Sequence, residues 1–231
     1  LGYSLDLKGS EYYTIYIRQI SNNTLMTSKI KDTSGNILFS LDDQYIFYSK
    51  LDDNHRPKKI FRHEIGTSIK NDVLIFEEKN DRFTVGIDIT SDEKYFIISS
   101  GDHTTSEIYY FLTNESSPKP KLFQKAKEGI IYSINSWEKY FYIHTNDKAE
   151  DFKICKCLHS KTSEWIDVVP AKDEVLVGGF TMLNNWMIRS ETINAIPKIF
   201  VKNLLNNKEE ELIFTDEEIY SPGISLKQKN R

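Results

Sequence analysis

A polar turn followed by an aromatic residue and an apolar strand occurs four times. The copies are SLDDQYIFYSKL from residue 40, TSDEKYFIISSG from 90, NSWEKYFYIHTN from 135 and MLNNWMIRSET from 182. The matching aromatics Tyr45, Tyr95, Tyr140 and Trp186 lie 50, 45 and 46 residues apart. Each copy is preceded by a short apolar run, NILFS, FTVGIDI, GIIYSI or EVLVGGF. Each is followed by a third run, KIFRHEI, EIYYFL, DFKICKC or KIFVKNL, and by a fourth, DVLIFEE, KLFQKA, EWIDVVP or EELIFTD. Four strands per unit at a period near 45 is the pattern of a β-propeller blade.

Composition agrees with strands rather than helices. Alanine occurs four times in 231 residues, while Ile, Val, Thr, Tyr and Phe are plentiful, and these residues suit a pleated, half-buried surface. The expected fold is all-β, a β-propeller of four-stranded antiparallel blades forming a truncated part of a seven-bladed ring. A partial blade is expected over 1–31 and whole blades over about 32–80, 81–126, 127–171 and 172–215, with the start of another over 216–231. A complete five-bladed ring is the alternative. An open ring leaves unpaired strand edges, so a dimer or neighbouring copies shielding them are expected.

The net charge of −4, with acids and bases interleaved, argues against a nucleic-acid partner, which needs a basic face. No run approaches the roughly 18 apolar residues of a membrane span. The chain opens on LGYSLDLKGSEYY, without a Met or an apolar signal core, and reads as cut from a longer protein. A cytoplasmic location is expected, and the two cysteines agree with a reduced compartment. Cys155 and Cys157 share a strand face and are expected to pack there; with His159 they form C-x-C-x-H, a weak metal pattern, and no cofactor or metal is expected. Asn22-Asn23-Thr24 and Asn114-Glu115-Ser116 match the glycosylation pattern, without a secretory signal to give it meaning.

KLDDNHRPKKIFRHEIGT, residues 50–67, resolves into a turn with its Asp and Asn side chains bonding their own backbone, then a third strand. His55 falls in the turn and His63 on the strand, so no helical metal pair arises. The RPKK cluster with Arg62 is expected to be a solvated surface. DHTTSE, residues 102–107, carries a His between acids, and the expectation is a polar turn held by internal hydrogen bonds. Gly86, Gly178 and Gly179, on runs expected to line the channel, are read as allowing a bulge or tight packing. Asp88, Asp173 and Glu174 are the inner-strand acids that a glycosidase reading would need, and their positions do not recur in a way that pairs an acid with a base.

DDNHRPKKIFRHEIGT, DVLIFEEKNDRFTVGID and YFIISSGDHTTSEIYYF resemble the propeller of the prolyl oligopeptidase family of serine peptidases, within it the oligopeptidase B (protease II) branch. LDLKGSEYYTIYIRQI and GIIYSINSWEKYFYIHTNDKAEDFKICKC fit the same branch, and the likeness weakens from about residue 150. Gly101 stands where the family commonly has His. The resemblance implies a seven-bladed propeller covering an α/β-hydrolase domain that holds the catalytic Ser, Asp and His. No serine here has glycine two positions away on both sides, so the nucleophile elbow is absent and no catalytic residue is carried over. The implied role is that of a non-catalytic size filter and docking surface over the missing hydrolase domain. That domain and short peptides cleaved after basic residues would be its partners. Arg56, His103, Thr104, Gly86 and Gly178 are the candidate interdomain or channel residues. The alternative is a free-standing propeller that binds a protein on one face.

Overall fold

The computed structural model describes residues 1–213; the strand expected to open another blade at 216–231 lies outside the described residues. The described residues form antiparallel sheets, with one short 3-10 helix at Ile69–Asn71. Two compact units are present. The first comprises Leu1–Ile89, Phe96–His103 and Glu107–Phe123; the second comprises Thr90–Tyr95, Thr104–Ser106 and the described residues from Gln124 on.

In the first unit, β1 (Gly2–Leu5), β2 (Tyr13–Gln19), β4 (Ile30–Thr33), β6 (Tyr45–Leu51), β7 (Pro57–Glu64) and β8 (Val73–Glu77) follow one another across an eight-stranded sheet. The short strands β3 (Thr24–Leu25) and β5 (Leu38–Phe39) pair with β2 and β6. β4 pairs on one side with β2 and on the other with β6, through Thr33 and Lys50, so two sets of strands merge into one sheet. The next sheet runs β9 (Thr84–Ile89), β10 (Tyr95–Gly101), β11 (Ser106–Leu112) and β12 (Lys121–Gln124).

The second unit holds two further sheets. One runs β13 (Tyr132–Trp137), β14 (Tyr140–Thr145), β15 (Lys153–Leu158) and β16 (Ile166–Val169); the other runs β17 (Val175–Leu183), β18 (Trp186–Ile193), β19 (Ile196–Asn203) and β20 (Glu209–Glu211). Tyr95, Tyr140 and Trp186 each open the second strand in chain order of a four-stranded sheet, and Tyr45 opens β6, the strand that follows and pairs with β5 in the merged sheet.

The second strands are apolar along their length because both faces are covered. On β6, Ile46 and Tyr48 join Ile15, Ile17 and Ile30 in one cluster. Phe47, pointing the other way, joins Ile60, Val85, Phe96, Ile98 and Phe111 in another. The strand period of two sends alternate residues into the two cores. In the second unit Tyr142, Ile154 and Val169 pack on Val177, Met182 and Met187. Each fully buried Ile or Phe contributes roughly 1.5–3 kcal/mol.

The four turns before the aromatics have two different constructions. In the first, Ser40 Oγ donates to Asp42 Oδ1 (2.6 Å) and accepts from the Tyr45 amide (2.9 Å), while Asp43 takes φ 56°. Thr90, Asp92, Tyr95 and Glu93 repeat this arrangement, at 2.7 Å and 3.0 Å with φ 56°. The third and fourth copies close instead with two-residue hairpins, at Glu138-Lys139 and Asn184-Asn185. Asn184 and Asn185 both take positive φ, which asparagine tolerates.

Candidate functional site

Three of the stretches that carry the family resemblance meet at one end of the first unit's sheets. The turn between β6 and β7 is organised by Asp52. Its Oδ1 accepts from the amides of Asn54 (2.9 Å) and Arg56 (2.9 Å), and its Oδ2 lies 3.4 Å from Arg56 Nη2. Partial burial opposes the charge. The Arg56 and Asn54 amides and the Arg56 guanidinium nevertheless hold the carboxyl below the usual aspartate range. His55 takes φ 63° and sets its ring edge-on to Tyr12, 4.4 Å between centroids.

That turn is latched to the connection between β8 and β9. Arg56 Nη1 donates to the Asp81 carbonyl. Lys58 Nζ donates to the carbonyls of Asn80 and Phe83, both at 2.6 Å, and the residue is buried. Lys58 therefore corrects the expectation of a solvated basic cluster. Backbone carbonyls turned inward supply what a carboxylate would otherwise supply, and they have no signature in side-chain sequence. Arg62 is also engaged, stacking on Tyr45 at 4.4 Å and donating to the Ser116 carbonyl.

The 78–83 connection continues the chain of contacts. Ser100 Oγ donates to Glu78 Oε2, and the Arg82 guanidinium reaches Asp102 Oδ2 at 2.7 and 3.1 Å. Asp102 starts the β10–β11 turn, where His103 stands exposed. Residues 52–58, 78–83 and 100–103 thus form one cross-braced loop surface. Arg56 is fixed within it and His103 is presented at its edge. The bracing contacts of Lys58, Asn80, Asp81, Glu78 and Arg82 were missed by sequence reasoning, although EEKNDRF lay inside a stretch already singled out.

The other candidate residues have separate settings. Thr104 is exposed, while the neighbouring Thr105 and Ser106 are tied to the 124–132 connection. Thr105 Oγ1 accepts from the Gly129 amide (3.2 Å), and Ser106 Oγ accepts from the Tyr132 amide (2.7 Å). The DHTTSE turn is therefore held in part by the following connection, a correction to purely internal bonding. Gly86 lies opposite Ser99, and a Cβ there would meet nothing within 4 Å. A Cβ on Gly178 would lie 2.3 Å from Ser190 Oγ and 3.1 Å from the Ser190 carbonyl oxygen. The β17–β18 register shifts between Val177 and Phe180, so Gly178 and Gly179 sit at a bulge, while Gly86 lies in regular pairing. Asp88, Asp173 and Glu174 are all exposed.

His159 is oriented by a polar network in the second unit. Its Nε2 lies 3.0 Å from Ser136 Oγ, which donates to Asp92 Oδ2 at 2.8 Å. Its Nδ1 faces Tyr95 OH (3.2 Å) and Lys94 Nζ (3.4 Å). With donors at Nδ1, the ring is suited to the neutral form that carries its proton on Nε2. Burial first, then the Lys94 ammonium, holds its pKa below the usual value. Cys155 and Cys157 are buried and free; burial pushes their thiols up to about 12 and about 11, with the Asp167 carboxylate at 3.1 Å adding to the first.

The sequence matches the prolyl oligopeptidase N-terminal β-propeller domain over residues 1–231. Protease 2 from Moraxella lacunata is 28% identical over 230 residues, covering 99% of this chain and 33% of that protein. Dipeptidyl aminopeptidase BI from Pseudoxanthomonas mexicana is 28% identical, covering 97% of this chain and 31% of that protein. The chain thus spans about a third of the length of these relatives. The oligopeptidase B structure from Leishmania major superposes with a TM-score of 0.88 at 20% identity, covering 93% of this chain and 32% of that one. The Trypanosoma brucei oligopeptidase B structure gives 0.86 at 23% identity, covering 94% and 31%. These likenesses support the oligopeptidase B branch, and the chain belongs to the prolyl oligopeptidase family as its N-terminal β-propeller domain.

Proposed function

We propose that this chain is the non-catalytic propeller of a serine oligopeptidase that cleaves short peptides after basic residues. Its work is steric. A ring of blades over an active site admits short flexible peptides and turns away folded proteins before chemistry begins, and domain separation would widen the approach. The observation that carries the reading is the cross-braced surface of 52–58, 78–83 and 100–103. The stretches that carry the family resemblance converge there on loops joined to one another by side-chain hydrogen bonds and an ion pair in addition to the sheet pairing. Arg56 and His103 are the residues we assign to docking against an α/β-hydrolase domain, with Thr104 beside them; Gly86 and Gly178 are assigned to the channel side.

The test is the intact gene product, assayed on a short Arg-containing peptide and on a folded protein carrying the same cleavage sequence. Cleavage of the peptide alone, with residues 1–231 inert on both, supports the reading. A gene product with no hydrolase domain, inactive on the peptide, would leave a stand-alone protein-binding propeller. Within an active enzyme, Arg56→Ala should lower discrimination between the two substrates, since it frees the turn from Asp81.

A further inference from the structure

A cleft of about 560 Å³ in the first unit is lined by Lys29, Lys31, Lys50 and Lys70, with Tyr48 and Phe61 as an aromatic wall. The four ammonium groups arrive from different segments: Lys29 and Lys31 flank Ile30 at the start of β4, Lys50 comes from β6, and Lys70 from the 3-10 helix. Ile30 is buried in the core, which leaves the lysines on either side of it directed outward.

Among the described residues, none of the four has a carboxylate within ion-pair distance. Elsewhere in the same unit Arg56, Lys59 and Arg82 are paired with Asp52, Glu77 and Asp102. Lys29 rests over the Tyr16 ring at 5.7 Å, and Lys31 and Lys29 also line an adjoining cleft that contains Lys8. In a chain of net charge −4, the cleft gathers four lysines against two carboxylates, Asp32 and Asp72, and Asp6 lies in the adjoining cleft.

Two carboxylates do line the cleft, and neither is spent on the lysines. Asp32 is exposed at φ 58°. Asp72 has both oxygens engaged from behind, Oδ2 by Tyr48 OH (2.7 Å) and Oδ1 by His63 Nδ1 (2.6 Å). His63 is fully buried, and its Nε2 has no hydrogen-bond partner among the described residues. The sequence therefore places an acid beside four lysines and then turns it into the protein interior. Asp72 keeps its charge, and with Asp32 it lowers the positive field without cancelling four ammonium groups.

We propose that this cleft is a binding site for a small, multiply charged oxyanion of the phosphate class. The volume lies within the roughly 300–1,000 Å³ range of small-molecule sites, which favours a compact ligand over a long acidic segment. Lysine ammonium groups bind phosphate oxygens as point charges and need no planar fork. The stacked Tyr48 and Phe61 rings, 16° apart in plane, give one wall an apolar face suited to a non-phosphate portion of the ligand.

The test is calorimetric titration of the intact protein with inorganic pyrophosphate at low and at high salt. Saturable binding that weakens with salt is expected, and the Lys31→Gln/Lys70→Gln variant should weaken it by about tenfold or more. Both positions are exposed, so folding should be unchanged, which far-UV circular dichroism and a melting curve would verify. Lys59→Gln, whose ammonium is paired with Glu77, should leave affinity unchanged. Absence of saturable pyrophosphate binding at millimolar concentration would overturn the proposal. So would equal weakening by the double variant and the Lys59 control, or binding of an oligoglutamate peptide but not of pyrophosphate.

Discussion

Replacing Arg189 by methionine removes the centre of a buried ionic cluster in the second unit. The guanidinium gives Nε and Nη2 to Glu191 Oε1 (2.9 and 2.7 Å), and Nη1 and Nη2 to the two oxygens of Glu209 (2.6 and 2.9 Å). Arg189 and Glu191 are both fully buried, and the guanidinium stacks on Phe200 at 4.8 Å. Burial works against the charge on Arg189. The Glu209 and Glu191 hydrogen bonds outweigh it and hold the guanidinium pKa above its usual value. Removing one partner of a buried pair costs roughly 3–5 kcal/mol, because the other charge is left without compensation. Here Lys172 stays on both oxygens of Glu191 at 3.0 Å, and Glu209 is partly exposed and can turn to water. The cost should therefore fall at the low end, about 3 kcal/mol, or more than a hundredfold in the folded-to-unfolded ratio. Urea unfolding followed by tryptophan fluorescence measures it. Arg189→Met/Glu191→Leu removes both buried charges, and it should recover about 2 kcal/mol of the loss, since an apolar pair of similar bulk tolerates burial. A single variant within about 1 kcal/mol of the parent, or a double variant no more stable than the single, would refute the reasoning.

Gly178→Ala should destabilise by about 1–2 kcal/mol, because its Cβ meets both the hydroxyl and the carbonyl of Ser190, whereas Gly86→Ala should stay within about 0.5 kcal/mol. Equal effects in thermal melts would remove the distinction between the bulge and the open strand position. His159 titrates below its usual value in the folded state. Its contribution to stability is therefore complete above the unfolded value of 6.5 and declines as pH falls from there toward the lowered folded value. An NMR titration of the folded protein should place the midpoint below 6.5, and Lys94→Gln should move it upward; a midpoint at or above 6.5 in the parent would contradict the network. Cys155 and Cys157 should resist a thiol reagent at pH 8 in the folded protein and react at once in urea, because burial raises both thiols. Prompt reaction without denaturant would show that the β15 face opens.

The blade pattern was legible because it depends on local rules. A strand covered on both faces must be apolar along its length, so YIFY, YFII and YFYI stand out at a fixed period. The turn residues before them name their own geometry, as Ser40-x-Asp42 and Thr90-x-Asp92 do. The absence of a nucleophile elbow is likewise a property of spacing alone. What the tertiary structure decided were the partners of charged groups. Lys58 looks like any surface lysine, yet two carbonyls from a loop about 25 residues away bury it. Asp72 stands two residues from Lys70, yet Tyr48 and His63 hold it from the inside, and nothing in the order of side chains names Glu191, Glu209 and Phe200 as the groups that enclose Arg189. Electrostatic partners are set by distance in space, and backbone carbonyls leave no mark in the order of side chains. A chain can therefore announce its strands by periodicity while keeping its charge pairings for the folded state.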